Sequence, residues 1–190
     1  MNKARVEAFS DGVIAIIITV MVLEMRVPQS SDVSALRPLI PVILSYALSF
    51  ILIGEYWSNH HHLLHAVKRV NGTALWANLH LLFWMSLTPF VTAWLGQHFG
   101  PWPVVLYGFV FLAAGFAYYI LTRVLLSLEG RDSTLAKAMG RNLKGKISPL
   151  IYVVAIPLAF LSPKLACALY ALVAIMWFVP DRRIEKVLES

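Results

Sequence analysis

Residues 5–26 read RVEAFSDGVIAIIITVMVLEMR, and this stretch decides what kind of fold the chain adopts. An apolar run over residues 12–23 is interrupted only by Thr19, and Glu24 and Arg26 close it. A carboxylate, Asp11, stands at the start of the run, where placing it in hydrocarbon costs roughly 2.5 kcal/mol or more. A helix that merely anchors a protein in lipid does not carry such a charge. This helix is therefore expected to face protein or water as well as lipid, with Asp11 held in a structural network by Arg or His partners. Lys3 and Arg5 before an apolar run imitate a secretory leader, but Asp11 breaks the early part of the run. Glu24-Met25-Arg26 then ends it without a small-x-small cleavage pattern, so the segment reads as a retained first membrane helix.

Working outward, the same apolar density recurs along the chain. Of 190 residues, 59% are apolar and 14% charged, with a mean hydropathy of +0.71; soluble domains carry about 25% charged residues. A spanning helix needs ~20 residues, and six segments come near that length: 8–25, 38–63, 75–95, 104–126, 147–161 and 164–179. The fold class is an all-α polytopic membrane protein, one six-helix domain over residues 1–190. The last two segments are short, and Ser162-Pro163 makes them a tight hairpin. Gly100-Pro101-Trp102-Pro103 forms a rigid turn between the third and fourth. The first loop, 27–37, is Ser-rich. The longest loop, 128–146, is basic and broken by Gly130, Gly140 and Gly145, with room for a short surface helix. Trp94, Trp102 and Trp177 near segment ends suit an interfacial aromatic belt.

The net charge of +6 records topology. With six spans, thirteen of the sixteen Lys and Arg fall on one side: Lys3, Arg5, Lys68, Arg69, Arg123, Arg131, Lys137, Arg141, Lys144, Lys146, Arg182, Arg183 and Lys186. Only Arg26, Arg37 and Lys164 lie on the other. The positive-inside rule then places both termini in the cytoplasm of a cell-membrane protein, with contact to anionic lipid and none to nucleic acid. Cys167, the single cysteine, cannot form an intrachain disulfide.

At about 100° per residue, Gly12, Ile16, Thr19, Val20 and Leu23 share one face of the first helix, and Asp11 lies nearly opposite Ile16. Periodicity alone favours packing against a neighbouring helix for that face. The second segment ends Glu55-Tyr56-Trp57-Ser58-Asn59-His60-His61-His62, with His65 following. His61 and His65 have the i, i+4 spacing of two metal ligands, and His80 is the nearest third candidate. No acidic cluster supports a metal there, so hydrogen-bonding or interfacial histidines are the preferred reading and no metal site is assigned. Asn78, an amide inside a span, needs an interhelical partner, and Pro89 should kink the third helix. Phosphate-binding loops, nucleophile triads, paired catalytic carboxylates and the Thr-Val-Gly-Tyr-Gly filter are all absent from the sequence, so no catalytic residues are assigned and the chain is not read as an enzyme.

Arg5-x-x-x-Phe9-Ser10-Asp11-Gly12-Val13, then Ala15-Ile16, Thr19 and Leu23-Glu24, resembles the signature of the endosomal and lysosomal potassium channel family, and more closely its bacterial members. Trp57-x-x-His60-His61, Asn78-Leu79 and Leu87-Thr88-Pro89-Phe90 fit as well, so the resemblance covers about the first half of the chain. It implies a homotetramer of six-helix subunits whose pore is lined by the first helix, with no re-entrant filter loop. It implies a hydrophobic gate at Ile16, with Val20 and Leu23 one and two turns beyond, and a potassium-preferring hydroxyl at Thr19. Arg5, Phe9, Ser10 and Asp11 match its bracing network, supported by Trp57, His60, His61 and Asn78. The function implied is a leak-like channel with modest preference for potassium over sodium, needing no cofactor beyond the permeant ion. Two other readings compete: a small cation- or proton-coupled transporter using Asp11, Glu24 and Glu55, and a membrane scaffold or metal-binding protein using His60 to His65.

Overall fold

The computed structural model describes residues 2–130, 133 and 143–178, and every regular element among them is helical. Helix α1 is Lys3–Leu23. Its 21 residues rise about 30 Å, the thickness of a bilayer core, and Asn2 caps it by accepting from the Ala4 amide at 3.0 Å. A 3-10 turn, Val33–Leu39, leads into α2, Ile40–His65. Helix α3, Gly72–Ser86, starts on an Asn71 cap whose side chain accepts from Ala74 N at 2.9 Å. It breaks at Leu87, and α4, Thr88–Gln97, follows with Pro89 in its first turn. The expected kink is present because Pro89 has no amide hydrogen to continue the ladder. Helix α5, Pro101–Glu129, takes Pro101-Trp102-Pro103, expected as a turn, into its own first turn after the Gly100 cap, because proline fits the start of a helix. It ends at Gly130, whose φ of +89° favours glycine. Helix α6, Leu143–Leu158, contains Pro149 and Pro157, and four residues separate it from α7, Pro163–Phe178, in a hairpin.

Among the described residues, four helical stretches are long and apolar enough to cross a membrane: Lys3–Leu23, Val33–His65, Gly72–Gln97 and Pro101–Glu129. The loop helix suggested between α5 and α6 falls on 131–142, of which only Ser133 is described. Arg131, Lys137, Arg141, Arg182, Arg183 and Lys186 from the charge argument also lie outside the described residues.

Helix α5 is the centre of the packing, touching α3, α4, α6 and α7, whereas α1 packs on α2, α3 and α4. Lipid tails are as apolar as leucine, so helices in a membrane hold together by close approach and hydrogen bonding. Both devices are present. Ser49 Oγ lies 2.7 Å from Thr92 Oγ1 and 3.0 Å from Tyr107 Oη, one hydroxyl cluster joining α2, α4 and α5. Tyr170, fully buried on α7, donates to Val104 O on α5 at 3.2 Å. Gly96 lets α4 cross α2 at backbone contact: a Cβ there would sit 2.7 Å from Val42 Cα. At Gly108 a Cβ would collide with the Tyr170 ring. Trp177, assigned above to the interfacial belt, instead turns its indole inward and donates to Ser148 Oγ at 2.8 Å.

Overpacking of this kind costs about 1–3 kcal/mol. Gly96→Ala is therefore expected to lower the melting temperature of the purified protein in detergent by several degrees. Gly72→Ala, where nothing lies within 4 Å of the added carbon, should leave it unchanged. Equal melting temperatures for both variants would mean that the α2–α4 crossing is not held by backbone contact.

Candidate functional site: the uncovered face of α1 and the network that orients it

Helix α1 buries Val6, Ser10, Ile14, Ile17 and Met21 against its neighbours. The other side is uncovered, carrying Arg5, Ala8, Phe9, Gly12, Ala15, Ile16, Thr19, Val22 and Leu23. Ile16 is 61% exposed and Leu23 81%. Val20 sits at the edge of this stripe and is partly buried, while Val22 is more open. The helix repeat explains this: Ile16, Thr19 and Leu23 follow i, i+3, i+7, whereas Val20 turns toward the buried side where Ile17 and Met21 pack.

Polar chemistry on the buried side sets that rotation. Ser10 Oγ, fully buried, donates to Val6 O at 2.8 Å and accepts from Asn78 Nδ2 of α3 at 2.9 Å. Asn78 Oδ1 lies 2.7 Å from His60 Nε2 of α2. An amide oxygen only accepts, so His60 carries its hydrogen on Nε2 and every hydrogen in this three-helix relay points one way. Asn78 thus finds the interhelical partners expected of it, and it has two. At the end of the helix Lys3 Nζ donates to Val67 O at 3.0 Å and to His65 O at 3.4 Å. There the cation meets free carbonyls at the C-terminus of α2. Nothing in the sequence pattern marks Lys3 for this, because the contact joins residues more than sixty positions apart.

Asp11 lies beside the uncovered face, not within the packed side. The expectation of an Arg or His partner is corrected by the structure: its Oδ1 accepts from Trp57 Nε1 at 3.0 Å. An indole on α2 reaches the spot, while Arg5, six residues away on the same helix, points along the exposed stripe with no hydrogen-bond or ion-pair partner among the described residues. Trp57 stacks on His61 with ring centres 6.3 Å apart, and His61 Nδ1 lies 3.8 Å from Glu7 Oε1. Phe9 is exposed. The residues named together from the sequence therefore divide: Ser10, His60 and Asn78 in one chain of bonds, Asp11, Trp57 and His61 in another that Glu7 extends, and Arg5 and Phe9 on the open face.

The histidines singled out for their spacing do not converge. His61 and His65 stack at 6.0 Å, but His80 is engaged on α3, accepting from Trp84 Nε1 at 3.0 Å. Among the described residues no three His, Cys, Asp or Glu side chains converge. The three transporter acids also stay apart. Asp11 bonds Trp57, Glu24 ends α1 exposed, and Glu55 lines a cavity between α2, α5, α6 and α7.

The profile of the endosomal/lysosomal potassium channel TMEM175 matches residues 5–89, a range that holds both bond networks. A potassium channel of Chryseobacterium sp. (strain P1-3) is 50% identical over the whole of both chains. The chain belongs to the TMEM175 family. The crystal structure of a lysosomal potassium-selective TMEM175 homolog from Chamaesiphon minutus superposes with a TM-score of 0.81 at 31% identity, over 94% of this chain and 97% of that one. The human endosomal/lysosomal proton channel TMEM175 is 38% identical over 96 residues, 44% of this chain and 19% of its own length. The TMEM175 family and its named relatives are ion channels rather than enzymes, and the chain is a multi-pass membrane protein.

Replacing Asn78 by Leu strands the buried His60 imidazole N–H and leaves the Ser10 hydroxyl only its bond to Val6 O. Each unsatisfied group costs about 1–3 kcal/mol, so Asn78→Leu should lower the melting temperature more than Ser10→Ala, which removes one end of the relay. A melting temperature for Asn78→Leu at or above the wild-type value would show that the relay does not orient α1.

Proposed function

We infer that the chain is the subunit of a potassium-permeable channel, in which four copies surround one pore and the uncovered face of α1 lines it. Potassium permeability is supported by the family and by the potassium channels it resembles along its full length. The observation that carries the pore assignment is the α1 stripe. Its opposite side is hydrogen-bonded into the subunit, and this side, with Gly12, Ile16, Thr19 and Leu23, has nothing against it.

Each subunit crosses the membrane six times, with α3 and α4 together forming the third span. Helices α6 and α7, 16 residues each, fall short of the ~20 of a full span, and local thinning of the bilayer accommodates them. The charge asymmetry orients both termini toward the cytoplasm of the cell membrane. No cofactor is needed and no re-entrant loop takes part. Four Ile16 side chains around the axis form a constriction that closes by dewetting, with Val20 and Leu23 beyond it. Thr19 Oγ1 donates to Ile16 O at 2.9 Å, so its proton is committed to the helix and its lone pairs face the open side. Four such oxygens favour a partly dehydrated potassium ion, giving a modest preference over sodium. Asp11, tied to Trp57 at the edge of the stripe, braces the helix and does not bind the permeant ion.

The test is bilayer reconstitution under bi-ionic potassium and sodium. Ile16→Asn places amides where branched carbons excluded water, so conductance or open probability should rise. Thr19→Val keeps the shape but removes the oxygens, so the reversal potential should move toward zero. Unchanged currents in both variants would take α1 out of the conduction path. Native mass spectrometry in mild detergent should give tetramers, and monomers or dimers alone would defeat the pore arrangement.

A further inference from the structure

On the side of the subunit away from α1, helices α2, α5, α6 and α7 line a partly open cavity of about 120 Å³. An engineered apolar cavity of about 150 Å³ takes up benzene, so this somewhat smaller space is on the scale of one small ring. Its walls are aromatic, contributed by Tyr56, Phe111, Tyr118, Tyr152 and Trp177. Three of the polar handles on these rings are already committed. Tyr56 Oη donates to Phe111 O at 3.3 Å, Tyr118 Oη to Asn59 O at 3.1 Å, and Trp177 Nε1 to Ser148 Oγ at 2.8 Å. The rings therefore turn π surface, not donors, to the space they enclose.

Glu55 lines the same cavity, and its Oε1 is buried with no hydrogen-bond partner. An unsatisfied buried carboxyl oxygen is costly, and Tyr56, Tyr118 and Trp177 have no hydrogen left to give it. A carboxylate ringed by aromatic faces is the recognition chemistry of an ammonium group. The chain already shows a version of this contact: Lys144 Nζ lies 5.9 Å from the centre of the Trp177 ring.

We propose that this cavity is a binding site for a primary ammonium carried on a benzene-sized apolar stem. The ammonium donates to the Glu55 carboxylate, and the stem lies among Tyr56, Tyr118 and Tyr152. A free aryl-alkyl amine offers both the ammonium and the stem, whereas an ethanolamine lipid headgroup offers the ammonium alone. The site is separated from the α1 stripe by α2 itself, so it stands or falls independently of the pore assignment.

The probe is 2-phenylethylammonium, titrated calorimetrically into the purified full chain in maltoside detergent. Saturable binding is expected, at least tenfold weaker in Glu55→Gln. The uncharged 2-phenylethanol should bind the wild type at least tenfold more weakly than the ammonium and be indifferent to Glu55→Gln. Gly115 lines the cavity, and a Cβ there already meets Tyr56 Oη at 3.4 Å, so Gly115→Val fills the space and should abolish binding of both probes. Gel-filtration profile and melting temperature establish that each variant is folded, and Gly115→Val carries the test if Glu55→Gln is not. Phosphatidylethanolamine that competes with the probe assigns the site to a lipid headgroup, and undiminished probe binding in its presence assigns it to a free amine. Absence of saturable binding to the wild type, or equal affinity in a folded Glu55→Gln or Gly115→Val variant, overturns the proposal.

Discussion

The rotation of one helix about its own axis depends on a single amide. Asn78 reaches Ser10 with its nitrogen and His60 with its oxygen, and no water in a bilayer core replaces either bond. Turning α1 by one residue, about 100°, would carry Ser10 away from α3 and leave the buried Asn78 amide nitrogen without its acceptor. The face of α1 opposite Ser10 is consequently held outward with the same definition. A purely apolar contact would not have this property, because in lipid one apolar face packs about as well as another.

The remainder of the subunit supplies a rigid frame for that relay. The hydroxyl cluster of Ser49, Thr92 and Tyr107 sits farther along α2, and Thr92 Oγ1 also approaches Met21 Sδ of α1 at 3.8 Å. Gly96 and Gly108 allow helices to close to backbone or ring contact where a methyl group would part them. Helix α5 joins the two halves, so that α1 lies at one margin of the subunit and the α6–α7 hairpin at the other. Two polar regions result, separated by α2. One orients the α1 stripe, and the other surrounds Glu55 with aromatic rings.

The two carboxylates on either side of α2 show how environment divides chemically identical groups. Asp11 has an indole donor and lies next to the open face, so one of its oxygens is satisfied within the subunit. Glu55 has aromatic walls whose donors are turned elsewhere. One is part of the scaffold and the other is left with an acceptor to satisfy.

The amino-acid sequence alone determined the helices, because apolar length and the cost of bare backbone in lipid leave few alternatives to a spanning helix. It also marked the third-helix break at Pro89, the Ser162-Pro163 hairpin, Asn78 as an amide needing interhelical partners, and the stripe of Gly12, Ile16, Thr19 and Leu23. These are local properties, set by periodicity and by single-residue chemistry. Only the tertiary structure decided which side of α1 is packed, that Asp11 pairs with Trp57 and not with an arginine, and that Val20 turns partly inward. Trp177's inward indole, the Lys3 tie to the end of α2 and the Glu55 cavity belong to the same class. Each depends on which residues distant in sequence are brought together. Hydrophobic periodicity reports how a helix is divided into faces, but the neighbour each face meets is fixed by packing across the whole subunit.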